Sequence, residues 1–222
     1  MVRIDGLLRL LKFSIDDTMI VLVNGPPGSG KDTLGECISR QFGSRVDKFA
    51  KFLKEATHRL YDVRGPDGAI AAHDYFESRK DRPCDEFNGS IPRQCYIGVD
   101  KYLKGMHGID ILGKKLLDTI SGYEHWHTSV VTDSGFVDEA MVLVRHYGVD
   151  NIAIIRLHRS DCCFTNDSRG YISIPGVRSF DVTNNSDLSG LAYKASVIAN
   201  DIGVANEGAT NTLSQAFEAN NI

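Results

Sequence analysis

The 222-residue sequence predicts an α/β fold, a five-stranded parallel sheet in three layers, and three observations lead there. Short apolar runs rich in Val and Ile recur at Ile20–Val23, Ser129–Asp133 and Asn151–Leu157, each too short for a helix and apolar on both faces, as buried parallel strands are. Segments of helical period separate them. The strand-like runs end on polar or charged residues, where an open α/β sheet gathers its ligands.

The first strand runs straight into Asn24-Gly25-Pro26-Pro27-Gly28-Ser29-Gly30-Lys31-Asp32-Thr33. Glycines at 25, 28 and 30 let the backbone take positive φ and point successive N–H groups inward. The helix predicted from Lys31, with Leu34, Cys37, Ile38 and Phe42 on its apolar side, directs its dipole at the same place. The spacing Gly-x4-Gly-Lys is that of a loop cradling a nucleoside triphosphate, so residues 24–33 are the candidate ATP-binding segment. Asp32 stands where a hydroxyl that holds Mg²⁺ is usual, and Thr33 follows. The metal is then expected to meet Asp32, Thr33 or another acid.

A short strand near Val46–Phe49 and a helix from Lys51 to about Leu60 come next. Gly65-Pro66-Asp67-Gly68 reads as a turn opening a helical insertion over about 66–122, with helices near Pro92–Leu103 and Ile109–Ile120. The insertion offers Arg79, Arg82 and Arg93 to an acceptor, Arg93 following Pro92 at a helix start. Lys101 and Lys104 share a helical face with Asp100. His73, His107, His125 and His127 show no metal-ligand spacing, and Trp126 reads as packing.

Ser129–Asp133 closes on a carboxylate, which can hold a magnesium-bound water, take a proton from an acceptor hydroxyl, or cap the helix predicted from Val137 to Tyr147. After the strand at Asn151–Leu157, Arg156, Arg159 and Arg169 lie in or beside an aperiodic stretch over about 158–175, the pattern of a lid that brings arginines onto phosphates. Phe180–Thr183 supplies the last strand and Leu188–Ile202 a closing helix. Asn184-Asn185-Ser186 between them reads as a helix cap or part of an adenine pocket.

Residues 1–18 read as an extension before the domain of 19–202, and 203–222 as a flexible tail. Net charge is −4 and the sequence pI about 6.0, so no global basic field marks a nucleic-acid binder. Five cysteines without paired spacing read as reduced thiols, and no stretch approaches the ~20 apolar residues of a membrane span. The expected compartment is the cytosol.

The set Gly25–Thr33, Pro92-Arg93-Gln94, Val131–Phe136 followed by Glu139, Arg156–Arg159 and Asp181–Asn185 resembles the bacteriophage P-loop nucleotide kinases, over about residues 19–202. The resemblance implies the P-loop kinase fold with a helical acceptor-binding insertion, ATP and Mg²⁺ as cofactors, and the host cytoplasm as location. Two branches are similar: kinases of 5-hydroxymethyluracil within phage DNA, and deoxynucleoside monophosphate kinases. The second tends to carry an arginine two places after the strand-end aspartate, where this chain has Gly135. A phosphate acceptor needs such a cation, whereas a hydroxymethyl group needs a base, so Asp133 without that arginine puts the DNA base first and the free deoxynucleoside monophosphate second. A second copy of the chain, in a homodimer, is the other partner expected, and no membrane. A nucleotide-driven switch module is the distant alternative.

Overall fold

In the computed structural model, which describes residues 18–123, 128–165 and 167–203, five parallel strands lie in the order β2-β3-β1-β4-β5. They are β1 (Met19–Asn24), β2 (Arg45–Asp47), β3 (Thr128–Ser134), β4 (Ile152–His158) and β5 (Arg178–Thr183). The helices are α1 (Lys31–Phe42), α2 (Ala50–Leu60), α3 (Pro92–His107), α4 (Ile111–Ser121), α5 (Val137–Tyr147) and α6 (Leu188–Ile202).

Alternation along the strands builds two cores. Val21, Val23, Val130, Ala153, Ile155 and Leu157 face α1 and α6, meeting Leu34, Ile38, Leu191 and Ile198. Ile20, Leu22, Val131, Ile152 and Ile154 face the other way, toward Leu53 of α2, Leu112 and Leu116 of α4 and Leu143 of α5. The result is the predicted three-layer α/β architecture. On one face Gly35 lets α1 approach the sheet, since a Cβ there would lie 2.2 Å from Thr132 Cγ2. On the other, Gly113 does the same for α4 against α5, where a Cβ would meet the Glu139 carbonyl at 2.5 Å.

Several elements differ from the sequence reading. The second strand stops at Asp47, because Phe49 is already the residue that leads into α2. Residues 61–91 are turns with one 3₁₀ turn at Asp85–Phe87, packed around side chains instead of forming helices. There His58, fully buried, meets the rings of Phe76, Phe87 and Tyr96 at 5.4, 6.1 and 5.7 Å. Its Nδ1 lies 2.8 Å from the Ala71 carbonyl and therefore carries the proton, which leaves Nε2 to accept from Tyr96 Oη at 2.8 Å. Residues 1–17, the histidines at 125 and 127, Trp126 and the tail beyond 203 lie outside the described residues. Among the described residues no helix is long and apolar enough to cross a membrane.

The strand order positions the site. From β1 the chain passes to β2 beyond β3, and from β3 it passes to β4 beyond β1, so adjacent strands send the chain in opposite directions and open a crevice at their carboxyl ends. At that edge the β1–β3 pairing slips, Leu22 opposing Val131 but Asn24 opposing Ser134, an irregularity beside the glycine loop and Asp133.

Candidate active site

The 25–30 loop fills this crevice. Gly28 and Gly30 have φ of 77° and 96°, while Gly25 is needed for room, since a Cβ there would meet the Leu157 carbonyl at 2.6 Å. The first helical bond of α1 runs from Leu34 N to Gly30 O at 2.9 Å, which leaves the N–H groups of residues 31–33 without helical acceptors and facing the loop. Asn184, just past β5, donates Nδ2 to the Ser29 carbonyl at 2.8 Å and pins the loop from behind. Its neighbour Asn185 accepts from Ser160 N at 3.0 Å, and the cap of α6 is Asp187, accepting from Gly190 N. Asn184 and Asn185 therefore brace the loop and lid instead of capping the helix.

Lys31 folds back, its Nζ donating to the Pro26 carbonyl at 2.7 Å. Burial, and next the positive charge of Arg169, bring its ammonium down to about 8, against the pull of Asp32, Asp167 and Asp133. Among the described residues the buried Ser29 hydroxyl has no hydrogen-bond partner. Asp32 accepts from Thr132 Oγ1 at 2.7 Å and pairs with Lys48 Nζ at 2.8 Å, both through Oδ1. Burial raises its carboxyl, but those two partners with the charge of Lys31 outweigh it and hold the group below the usual range. Thr33 lies beside it in the first turn of α1.

Asn24 was expected to meet the nucleotide, and its side chain does other work. Nδ2 donates to the carbonyls of Ser134 at 2.9 Å and Gly170 at 3.0 Å, and Oδ1 accepts from Ile172 N at 3.0 Å. It ties β1 to the end of β3 and to the root of the lid. Asp133 also differs from expectation. Its Oδ1 accepts from Phe49 N at 2.8 Å and Oδ2 from Ala50 N at 2.9 Å, so it caps α2 rather than α5. Burial raises its carboxyl against those two bonds and against Lys48 and Arg169. The two bonds fix the carboxylate in place at the end of β3, and the remaining lone pair on each oxygen is open to a metal-bound water or to a proton from an acceptor brought to it.

The arginines separate into groups. Arg169 lies over the end of β3: its Cβ, Cγ and Cδ occupy the space a side chain at Gly135 would need, at 2.7 Å, and its guanidinium is bidentate on Asp167 at 2.9 and 2.6 Å. Arg159 reaches the loop, its Nη1 directed at the Gly28 carbonyl at 3.4 Å. Arg93 pairs with Asp81 and feels, more weakly, the charge of Asp167. Arg156 is turned away, forked on Asp181 of β5 at 3.0 and 2.6 Å, with His158 on the same carboxylate, so it is withdrawn from the phosphate site. Arg79 is likewise committed, to Glu86 at 2.9 Å and to the face of Phe76, and braces the insertion. Arg82 is exposed on the neighbouring turn.

Sequence reasoning missed Lys48, Thr132 and Asp167. Lys48 follows the end of β2 at the same edge that singled out Asp133, so position alone could have found it. Nothing in sequence tells that Asp167 faces the cations, since the lid has no period.

Beside the crevice Lys104 bridges Glu139 at 3.1 Å and Asp100 at 3.2 Å and stands 4.5 Å from the Phe136 ring centre. Burial, eased by Lys104, raises the Glu139 carboxyl from 4.5 to about 7. A carboxyl that binds its proton more tightly in the fold stabilises fully below pH 4.5, and that contribution is lost as pH rises through 7. The melting temperature of the wild type should therefore fall between pH 5 and 8 relative to Glu139→Gln, by a difference worth about 2 kcal/mol. Parallel melting curves across that range would refute the argument.

No protein-family model matches the chain, and no curated protein matches it. Among solved structures it is similar to an unliganded sugar kinase from Janibacter sp. HTCC2649, at 12% identity over 86% of this chain and 99% of that one, with a TM-score of 0.40. It is also similar to a gluconokinase from Sinorhizobium meliloti 1021, at 15% identity over 89% and 97%, with a TM-score of 0.39. The chemistry of the site rests on its own residues.

Proposed function

We propose that this chain is an ATP-dependent phosphotransferase whose acceptor is a nucleotide, with a free deoxynucleoside monophosphate ahead of a base in DNA. The observation that carries the class is the loop at the β1/β3 switch point, with the free N–H groups of α1 and Lys31 at it, Arg159 directed at its Gly28 carbonyl and Arg169 within electrostatic reach of Lys31. Lys31 leaves the Pro26 carbonyl for the β and γ phosphates, and the arginines stabilise the charge that spreads over the transferred group. Among the described residues no three acids, histidines or cysteines converge to cage a metal, so the protein would offer only Thr33, Asp32 and Asp133. Those oxygens suit Mg²⁺, which when bound neutralises phosphate oxygens.

The acceptor reading turns on two observations. The DNA base was placed first because Asp133 was taken as a base and position 135 lacks an arginine. Asp133 is anchored to α2, and the stem of Arg169 lies where an arginine at 135 would start. Arg169 of the lid, with Arg93 of the insertion once its exposed pair with Asp81 opens, would supply the charge a phosphate acceptor needs.

Incubation with γ-labelled ATP and each deoxynucleoside monophosphate tests this, with DNA containing 5-hydroxymethyluracil run alongside. Label in a deoxynucleoside diphosphate is expected. Label in DNA alone would move the acceptor back to the base, and ATP consumption indifferent to every acceptor would point to a switch module and overturn the reading.

A further inference from the structure

Resting on the phosphate-site reading above, we infer that Asp167 is a built-in anion that holds the place of substrate phosphate in the empty enzyme, so that only a ligand able to displace it from Arg169 is admitted.

The geometry is that of a carboxylate standing in for a phosphate. Asp167 makes two parallel bonds to the Arg169 fork, at 2.9 Å from Nε and 2.6 Å from Nη2, the arrangement in which guanidinium also takes two phosphate oxygens. Its Oδ1 accepts a third bond from Arg169 N at 3.0 Å. Both side chains are largely removed from water, 24% and 15% exposed, so the pair is stronger than a surface ion pair. Asp167 also lies within electrostatic reach of Lys31 and Arg93, and those two with Arg169 are the cations the proposed reaction needs. Lys31 of α1, Arg93 of the insertion and Arg169 of the lid thus all feel this carboxylate, in addition to Asp81 on Arg93 and Asp32 and Asp133 around Lys31.

The surroundings hold that charge in position. Asp167 N donates to the Phe164 carbonyl at 2.9 Å, closing a turn, and Gly170 is bound on both sides, by Asn24 Nδ2 at its carbonyl and at its N–H by the Gly135 carbonyl at 3.4 Å. The Arg169 stem rests on Gly135. The arginine is thus fixed at its root, while only side-chain rotation of Asp167 is needed to free its fork. A single orthophosphate or sulfate gains little over the carboxylate it displaces. A polyphosphate that also engages Lys31 and the loop amides gains enough to exchange. Asp167 would then act as a selectivity filter against small anions.

Calorimetric titration of the full chain with inorganic pyrophosphate tests this, for the wild type, Asp167→Asn, Asp167→Glu and Arg169→Gln. Asp167→Asn should bind pyrophosphate about tenfold more tightly than the wild type, because the competitor is gone and the fork is free. Asp167→Glu, which keeps the charge, should stay near the wild type, and adding Asp167→Asn to Arg169→Gln should change affinity by less than about threefold. A purely supporting role for Asp167 predicts the opposite sign, weaker binding in Asp167→Asn. Unchanged or weaker binding in a variant that melts as the wild type does overturns the inference. Should Asp167→Asn not fold, Asp167→Ser is read in the same way. Wild type that binds Mg·ATP with no gain in the variant removes this inference alone, whereas wild type that binds no triphosphate removes the phosphate-site reading and the inference with it.

Discussion

Lys31→Ala lowers the rate of phosphoryl transfer by about a thousandfold and leaves the fold intact, which single-turnover measurement with saturating ATP and a melting curve will check together. The rate falls because the lysine supplies charge where charge accumulates, and no neighbour reaches its place: Lys48 is paired with Asp32, while Arg159 and Arg169 come from the lid and serve the transferred group from their own positions. The fold does not suffer, because the ammonium sits in a place that disfavours its charge, as its fall to about 8 records. The sign of that linkage is definite. A lysine depressed from 10.5 to about 8 costs stability below pH 8, and that cost fades as pH rises toward 10.5, so alanine should match or exceed the wild type in melting temperature at pH 7. A variant that melts far below the wild type would show that Lys31 holds the loop together, and one that keeps its rate would remove the phosphate-loop reading.

Asn24→Ala is the second large effect, and it falls on the fold first. The side chain makes three hydrogen bonds, all near 3 Å, to Ser134 O, Gly170 O and Ile172 N, and is itself fully buried. Alanine leaves those groups without their partner in a place water does not reach, a loss of about 3–5 kcal/mol. Chemical denaturation should show a lowered midpoint, and Mg·ATP affinity should fall as well because the lid root loses its tie to β1. Asn24→Asp is a sharper probe: it keeps the acceptor for Ile172 N and turns both donated bonds into repulsion between oxygens. A midpoint within experimental scatter of the wild type in either variant would contradict the assignment.

The sheet was legible because its evidence is local. Val-Ile runs of strand length mark β1, β3 and β4, and Gly-x4-Gly-Lys carries its own geometry. Positions at the carboxyl edge were legible for the same reason, and Asp133 was found in that way. What its carboxylate does was not, because the partners, Phe49 and Ala50, are more than 80 residues away and offer backbone N–H groups that leave no mark in a sequence. Arginines were harder. Arg156, Arg159 and Arg169 look alike along the chain, and only the pairing of β4 with β5 decides that Arg156 meets Asp181 while the other two reach the loop or the end of β3. The two helices of the insertion form where they were expected, whereas its first part, up to residue 91, is made of turns, because burial of Phe76 and Phe87 around His58 fixes it from the side, a tertiary effect without a period.

That aromatic knot has a bearing on how such a chain can change. His58, Phe76, Phe87 and Tyr96 hold the insertion through contacts among themselves, at a distance in sequence from the glycine loop and from the lid. A segment with an independent source of cohesion can exchange its outward residues, Arg82 and Arg93 among them, without disturbing the glycine loop. The fold is therefore modular: changes on the outer face of the insertion need not travel to the crevice at the end of β1.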